Sequence, residues 1–195
     1  DVCSSDLHGV MPMSELLQKY GTEEVQKLAE RIDSNYIISI INQVLRKRHH
    51  VTDFIIGFDM PAFYFNTEQI ARISPEKMEQ IEKDIKVLLK ILPGIAKVWT
   101  RKELLSPNFD KQVKDHRELW YTRQFHPARS GDVFIMPRKY AYITDFKTGT
   151  SHCTPYEYDT HIPLILSSPS RIEPGVLKDP ISILSVPSNL ARILE

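Results

Sequence analysis

Apolar residues in the first quarter of the chain recur at helical spacing. Val25, Leu28 and Ile32 step by three and four, and Ile37, Ile40, Ile41, Val44 and Leu45 continue the pattern toward His50. This predicts helix from Met13 to about His50, with Thr22 capping the first helix and Asp33-Ser34-Asn35 punctuating between the two. Asp53–Phe58 and Ala62–Phe65 are short β-branched and aromatic runs around Asp59-Met60-Pro61, which predicts a strand pair. Ser74-Pro75-Glu76 opens a helix, with Ser as N-cap and Pro at the first helical position. Its stripe is Met78, Ile81, Ile85, Leu88, Leu89 and Leu92, and Pro93-Gly94 stops it. Ile95–Trp99 reads as a strand, and Thr100 with Glu103 as a capping box. Further on, Asp132–Met136 and Tyr140–Ile143 read as strands on either side of Pro137-Arg138-Lys139. The continuous apolar run Ile162–Leu166 predicts a strand covered on both faces. Pro187–Leu194 reads as a closing helix with Ser185 or Ser188 near its cap.

The helix–strand–strand–helix–strand order from about 20 to 125 predicts a small α+β lobe. A composition of 42% hydrophobic and 26% charged residues suits a soluble unit with a real core. Lys+Arg and Asp+Glu are both 25, so no basic field favours nucleic acid or an anionic membrane surface. The run Arg46-Lys47-Arg48-His49-His50 reads as a solvated helix end. No stretch approaches the roughly 20 apolar residues of a membrane helix.

Seven histidines are present, His8, His49, His50, His116, His126, His152 and His161, and none lies in a short-range zinc motif. For a lone histidine a surface or hydrogen-bonded structural role is the default reading. Two segments depart from it. Gly149-Thr150-Ser151-His152-Cys153-Thr154-Pro155-Tyr156-Glu157-Tyr158-Asp159-Thr160-His161-Ile162-Pro163-Leu164 packs turn-forming residues around two histidines and leads into an apolar run. It reads either as a polar loop at a strand entrance or as a loop aiming His152 into a cleft.

This string resembles the late motif of the type I phosphodiesterase/nucleotide pyrophosphatase group of the alkaline phosphatase superfamily, and among these the PafA-like bacterial alkaline phosphatases. His8-Gly9-Val10-Met11-Pro12 is similar to that family's Ala-Asp-His-Gly-Val-Met-Pro. Phe125–Val133 is similar to its His-Pro-x-Arg-Ser-Gly-Asp segment, where His126 reads as a structural turn residue, and Pro180–Leu194 is similar to its closing helix. The resemblance implies that His152 ligates a first zinc ion and His8 a second, with His161 a structural member of the motif. Cys153 stands where Gly is usual, and a positive φ there would strain the loop. Ser185 stands where Asp is usual.

The implied fold is α/β, the C-terminal part of an alkaline-phosphatase-like α/β/α sandwich with an inserted small α+β lobe. Residues 8–19 and 126–195 would belong to the catalytic α/β domain, and 20–125 to the lobe. The implied cofactors are two zinc ions about 4 Å apart, which clamp the nucleophile and the transferred phosphoryl group. The nucleophile and the remaining ligands would lie upstream of residue 8. No catalytic residue is therefore assigned within the chain, which is expected to bind zinc weakly and to be inactive alone. Substrates would be small-molecule phosphate esters, monoesters or the diesters of a phosphodiesterase/nucleotide pyrophosphatase, handled by a monomeric periplasmic or secreted enzyme. Asp1–Leu7 resembles a translated sequencing adapter and is set outside the fold; Leu7 then occupies the motif's Asp position by accident, and Cys153 has no disulfide partner. The reading from another class is a non-catalytic partner-binding domain using His152 or the Arg46–His50 run. It predicts a closed core, whereas the hydrolase reading predicts an uncovered apolar face or strand edge.

Overall fold

Val133–Pro137 is buried on both faces and organises the larger part of the molecule. The computed structural model describes the backbone of residues 2–5 and residues 8–194. Its elements begin with β1 (Val2–Ser5), α1 (Ser14–Tyr20), α2 (Glu23–Leu28), β2 (Glu30–Asp33) and α3 (Ser34–His49). They continue with β3 (Ile55–Asp59), β4 (Ala62–Phe65), α4 (Thr67–Ile70), α5 (Pro75–Ile91) and β5 (Ile95–Thr100). Next come α6 (Arg101–Leu104), α7 (Phe109–Gln112), α8 (His116–Thr122), β6 (Val133–Pro137) and β7 (Ala141–Thr144). The chain closes with α9 (Glu157–Thr160), β8 (Leu164–Ser167), a 3₁₀ turn at Ile183–Ser185 and α10 (Val186–Leu194). The architecture is α/β, as the sequence implies.

The backbone divides into two compact units, residues 9–160 and residues 1–8 with 161–195. In the first, β3-β4-β6-β5 form a four-stranded sheet in which each neighbouring pair is antiparallel. Because side chains alternate along a strand, β6 serves two cores at once. Val133 and Ile135 join Ile37, Ile41 and Leu45 of α3 and Ile81, Ile85 and Leu89 of α5. Phe134 and Met136 face the other way, toward Trp99, Phe109 and Tyr121. Each such large side chain contributes about 1.5–3 kcal/mol by burial. β6 comes from the stretch 126–195 that the sequence assigns to the catalytic domain, whereas its neighbours β4 and β5 come from 20–125.

The helix signals act as the sequence predicts at three caps. Thr22 Oγ1 accepts from Val25 N, Ser74 Oγ accepts from Lys77 N ahead of Pro75, and Thr100 with Glu103 forms the capping box. The stretch around Ile32 differs, because Glu30–Asp33 is a strand. It pairs in parallel with β7, and Ile32 Cδ1 lies only 2.0 Å from where a Cβ on Gly94 would stand. A ladder partner 111 residues away and a gap left by glycine override the helical spacing. Asp33 then caps α3 through Oδ1, which accepts from Asn35 N at 2.8 Å.

In the second unit β1 pairs antiparallel with β8, Val2 opposite Ser167 and Ser5 opposite Leu164. The segment that the sequence sets outside the fold thus contributes a strand. Leu7 lies outside the described residues, and so does its expected place at the Asp position of the motif. β8 is not covered on both faces: Leu164 and Leu166 are half-buried, while Ile165 is 59% exposed. Val176, Leu177 and Leu184 are each at least 85% exposed. The 3₁₀ turn before α10 is capped by Ser182, whose Oγ accepts from Leu184 N, and Ser185 ends that turn immediately ahead of α10, near the helix start where the sequence places it. Among the described residues no helix is long and apolar enough to cross a membrane.

Candidate functional site

His152 sits in the loop between β7 and α9, half-buried. The residues leading to it, 145–150, are all exposed, so burial does not fix their path. Specific bonds do. Met11 N donates to Ser151 O at 3.4 Å, Thr150 Oγ1 donates to Met11 O, and Gly9 N donates to Asp159 O at 2.8 Å. The backbone that follows His8 therefore lies against the backbone on both sides of His152. The two segments that carry the resemblance, about 140 residues apart in sequence, are joined within the larger unit. Gly9 makes that approach possible: a Cβ there would stand 2.0 Å from Tyr158 O. His8 itself is exposed and ends the stretch 1–8 of the smaller unit, as His161, also exposed, begins its second stretch.

Asp159 joins both segments. It is 5% exposed, its Oδ2 accepts from Thr154 N at 2.7 Å, and its main-chain oxygen receives Gly9 N. Tyr156 OH donates to Pro137 O at 2.8 Å, anchoring the loop to the end of β6. Tyr158 stacks on Tyr140 at 5.6 Å, and its hydroxyl oxygen accepts from Tyr140 N at 3.3 Å. Burial pushes the Tyr158 hydroxyl up to about 12, which keeps it protonated at neutral pH. The metal-ligand pattern in the sequence singles out the histidines and not Asp159, Tyr156 or Tyr158. Their signal was an acidic residue and two aromatics inside an otherwise polar loop.

Cys153 has φ +83, the left-handed conformation that glycine adopts freely and a side chain resists. Its Sγ lies 3.1 Å from His152 Nδ1. Burial, then the Asp159 and Asp59 carboxylates, pushes the thiol up, so it stays protonated at neutral pH. Cys153→Gly is expected to stabilise the chain by about 1 kcal/mol by releasing this strain. A thermal or urea melt checks this; an unchanged or lowered midpoint would show that the thiol's packing outweighs the strain.

The other histidines take structural places. His126 shapes a turn, its N donating to Ser130 Oγ at 2.8 Å and its Nδ1 accepting from Ala128 N, as the turn reading expected. His49 Nε2 lies 3.0 Å from Asp84 Oδ2, joining α3 to α5, and His50 ends α3 in the left-handed conformation. His116 packs its ring 6.4 Å from Trp120.

Zinc centres in proteins take three or four side-chain ligands. Among the described residues no group of three or more His, Cys, Asp or Glu side chains is arranged to hold a metal ion. At His152 the neighbouring donor is the Cys153 thiol, which with His152 makes a pair and not a set of three. The described residues therefore do not by themselves fit a zinc centre, and no reaction step is derived through one.

No protein-family model and no curated protein sequence matches the chain. Solved structures do. Wild-type alkaline phosphatase PafA matches with a TM-score of 0.67 at 20% identity, over 84% of this chain and 29% of that one. A multiply substituted form of the same enzyme matches with a TM-score of 0.62, at the same identity and coverage. The chain thus spans 29% of the length of these structures. At this identity the likeness is one of fold: the chain has the α/β fold of the matching part of alkaline phosphatase PafA.

Proposed function

We propose that this chain is part of a phosphate-ester hydrolase of the alkaline phosphatase superfamily. His152 and His8 would each lend one ligand to a two-zinc centre whose nucleophile and other ligands come from sequence outside it. The observation that carries this reading is the meeting of Gly9–Met11 with Thr150–Asp159, the two motif segments, on a backbone of alkaline phosphatase fold. The exposed Val176, Leu177 and Leu184 favour a partner surface outside the chain over the closed core of a free-standing binding domain. The fold neighbours are named as alkaline phosphatases, which favours phosphate monoesters as substrates over the diesters of a nucleotide pyrophosphatase. An exported, monomeric parent enzyme goes with this reading.

The test uses the purified chain with p-nitrophenyl phosphate and bis-p-nitrophenyl phosphate, in excess zinc and in chelator. No zinc-dependent hydrolysis of either is expected, because the chain lacks the nucleophile this reading places elsewhere. Titration with zinc, followed by imidazole nitrogen NMR, is expected to shift the His152 signal weakly, and His152→Ala to remove that signal. Turnover that needs zinc would refute the inactivity, and a His152 imidazole indifferent to zinc would refute the ligand assignment.

A further inference from the structure

Arg31 projects from β2 with its side chain only 14% exposed. Its Nε and Nη2 donate to the two carboxylate oxygens of Glu15 at 2.5 and 3.1 Å, a two-point pairing that reaches α1. Its Nη1 donates to Phe146 O at 3.2 Å and its Nη2 also to Gly149 O at 2.5 Å. The guanidinium lies over the Tyr142 ring of β7, 5.2 Å from its centre. The hydrogen bond from Arg31 holds the Glu15 carboxyl below its usual range, so the pair is charged at neutral pH.

These contacts meet where the loop needs them. Residues 145–150 have no apolar anchor, since Phe146 is 69% exposed, and Gly149 takes φ +89. Arg31 binds the carbonyls near each end of this stretch. Through Glu15 it also binds the helix that follows His8-Gly9-Val10-Met11-Pro12. The same guanidinium therefore sets the stem of the His152 loop and the segment that loop meets. Lysine could not do this, because one ammonium does not offer a planar fork to a carboxylate and two carbonyls at once.

We infer that Arg31 is a positioning residue of the candidate site, holding the stem of the His152 loop and α1 in the register that lets Gly9–Met11 meet Thr150–Asp159. Its importance for metal binding rests on the ligand reading proposed above; the positioning itself does not.

Amide hydrogen exchange on the whole chain without metal tests it, because exchange reads local opening apart from global unfolding. In Arg31→Lys and Arg31→Met, the amides of Gly9, Met11 and Thr154 are expected to exchange about tenfold faster or more, with those of α5 unchanged. Lys27→Ala, which removes an exposed ion pair with Glu23, is the control and is expected to change neither set. The inference is overturned if the three amides keep their protection in Arg31→Met. Equal acceleration of the α5 amides, which marks a merely structural role, also overturns it, as does full protection in Arg31→Lys. Zinc added to the same samples separates the two readings. A His152 imidazole that ignores zinc in the unaltered chain removes the ligand assignment, and the exchange rates still decide the part of Arg31.

Discussion

Gly9→Ala is expected to part the two segments that carry the candidate ligands. The added methyl would stand 2.0 Å from Tyr158 O and 3.0 Å from Tyr158 C, both main-chain atoms that cannot rotate aside. Overpacking of this kind costs about 1–3 kcal/mol, and losing the bond from Gly9 N to Asp159 O adds about 1 kcal/mol. The segment can peel away instead of compressing the loop, so the loss of global stability is bounded at roughly 3 kcal/mol by what the tether contributes. Urea unfolding gives that loss, and exchange at Met11 shows where it falls. Gly57→Ala is the control, since no atom lies within 4 Å of a Cβ there. A Gly9→Ala chain that unfolds at the same urea concentration, with Met11 still protected, would show that this contact does not hold the segments together.

Asp132→Ala is expected to cost the larger unit about 3 kcal/mol. Asp132 sits just ahead of β6 and ties it to β4 and to the start of α6. Its N donates to Phe63 O at 2.8 Å, its Oδ2 accepts from Phe65 N at 2.8 Å, and its main-chain oxygen accepts from Arg101 N at 2.9 Å. Its Oδ1 also pairs with Arg101 Nε at 3.3 Å, with both side chains less than a third exposed. Arg101 in turn donates to Pro127 O at 2.5 Å and to Ser130 O and Gly131 O, closing the turn that His126 begins. Alanine would leave Phe65 N–H without its acceptor and the guanidinium without its carboxylate. For a unit of this size the loss corresponds to a fall in melting temperature of roughly 6–12 °C. Asp132→Asn keeps an acceptor for Phe65 N and is expected to lose about half as much. An Asp132→Ala chain within about 0.5 kcal/mol of the original would show that Arg101 and the strands do not depend on this carboxylate.

The same contacts explain why the stretch Phe125–Val133 reads as a motif although no chemistry falls on it. Gly131 is required because a Cβ would stand 2.6 Å from Phe63 O, and Asp132 because β4, β6 and the start of α6 meet there. A pattern of this kind marks a folding constraint as readily as an active site. His126 in the same stretch illustrates it, its imidazole being spent on a turn.

What the sequence determined by itself was local. Caps at Thr22, Ser74 and Thr100 act between neighbours three residues apart, and the stripe Ile81, Ile85 and Leu89 depends only on helical period. The two motif segments were legible for the same reason, since each is a contiguous string. The tertiary structure decided whatever depends on partners distant in the chain. It made Glu30–Asp33 a strand because Ala141–Thr144 was there to receive it, and set β6 between β4 and β5. It also brought Gly9 to Asp159 and Arg31 to Gly149, contacts that span more than a hundred residues and leave no periodic trace in the sequence. A residue's own type and spacing fix its local geometry, whereas a loop with no buried side chain takes its position from whichever distant groups satisfy its carbonyls and N–H groups.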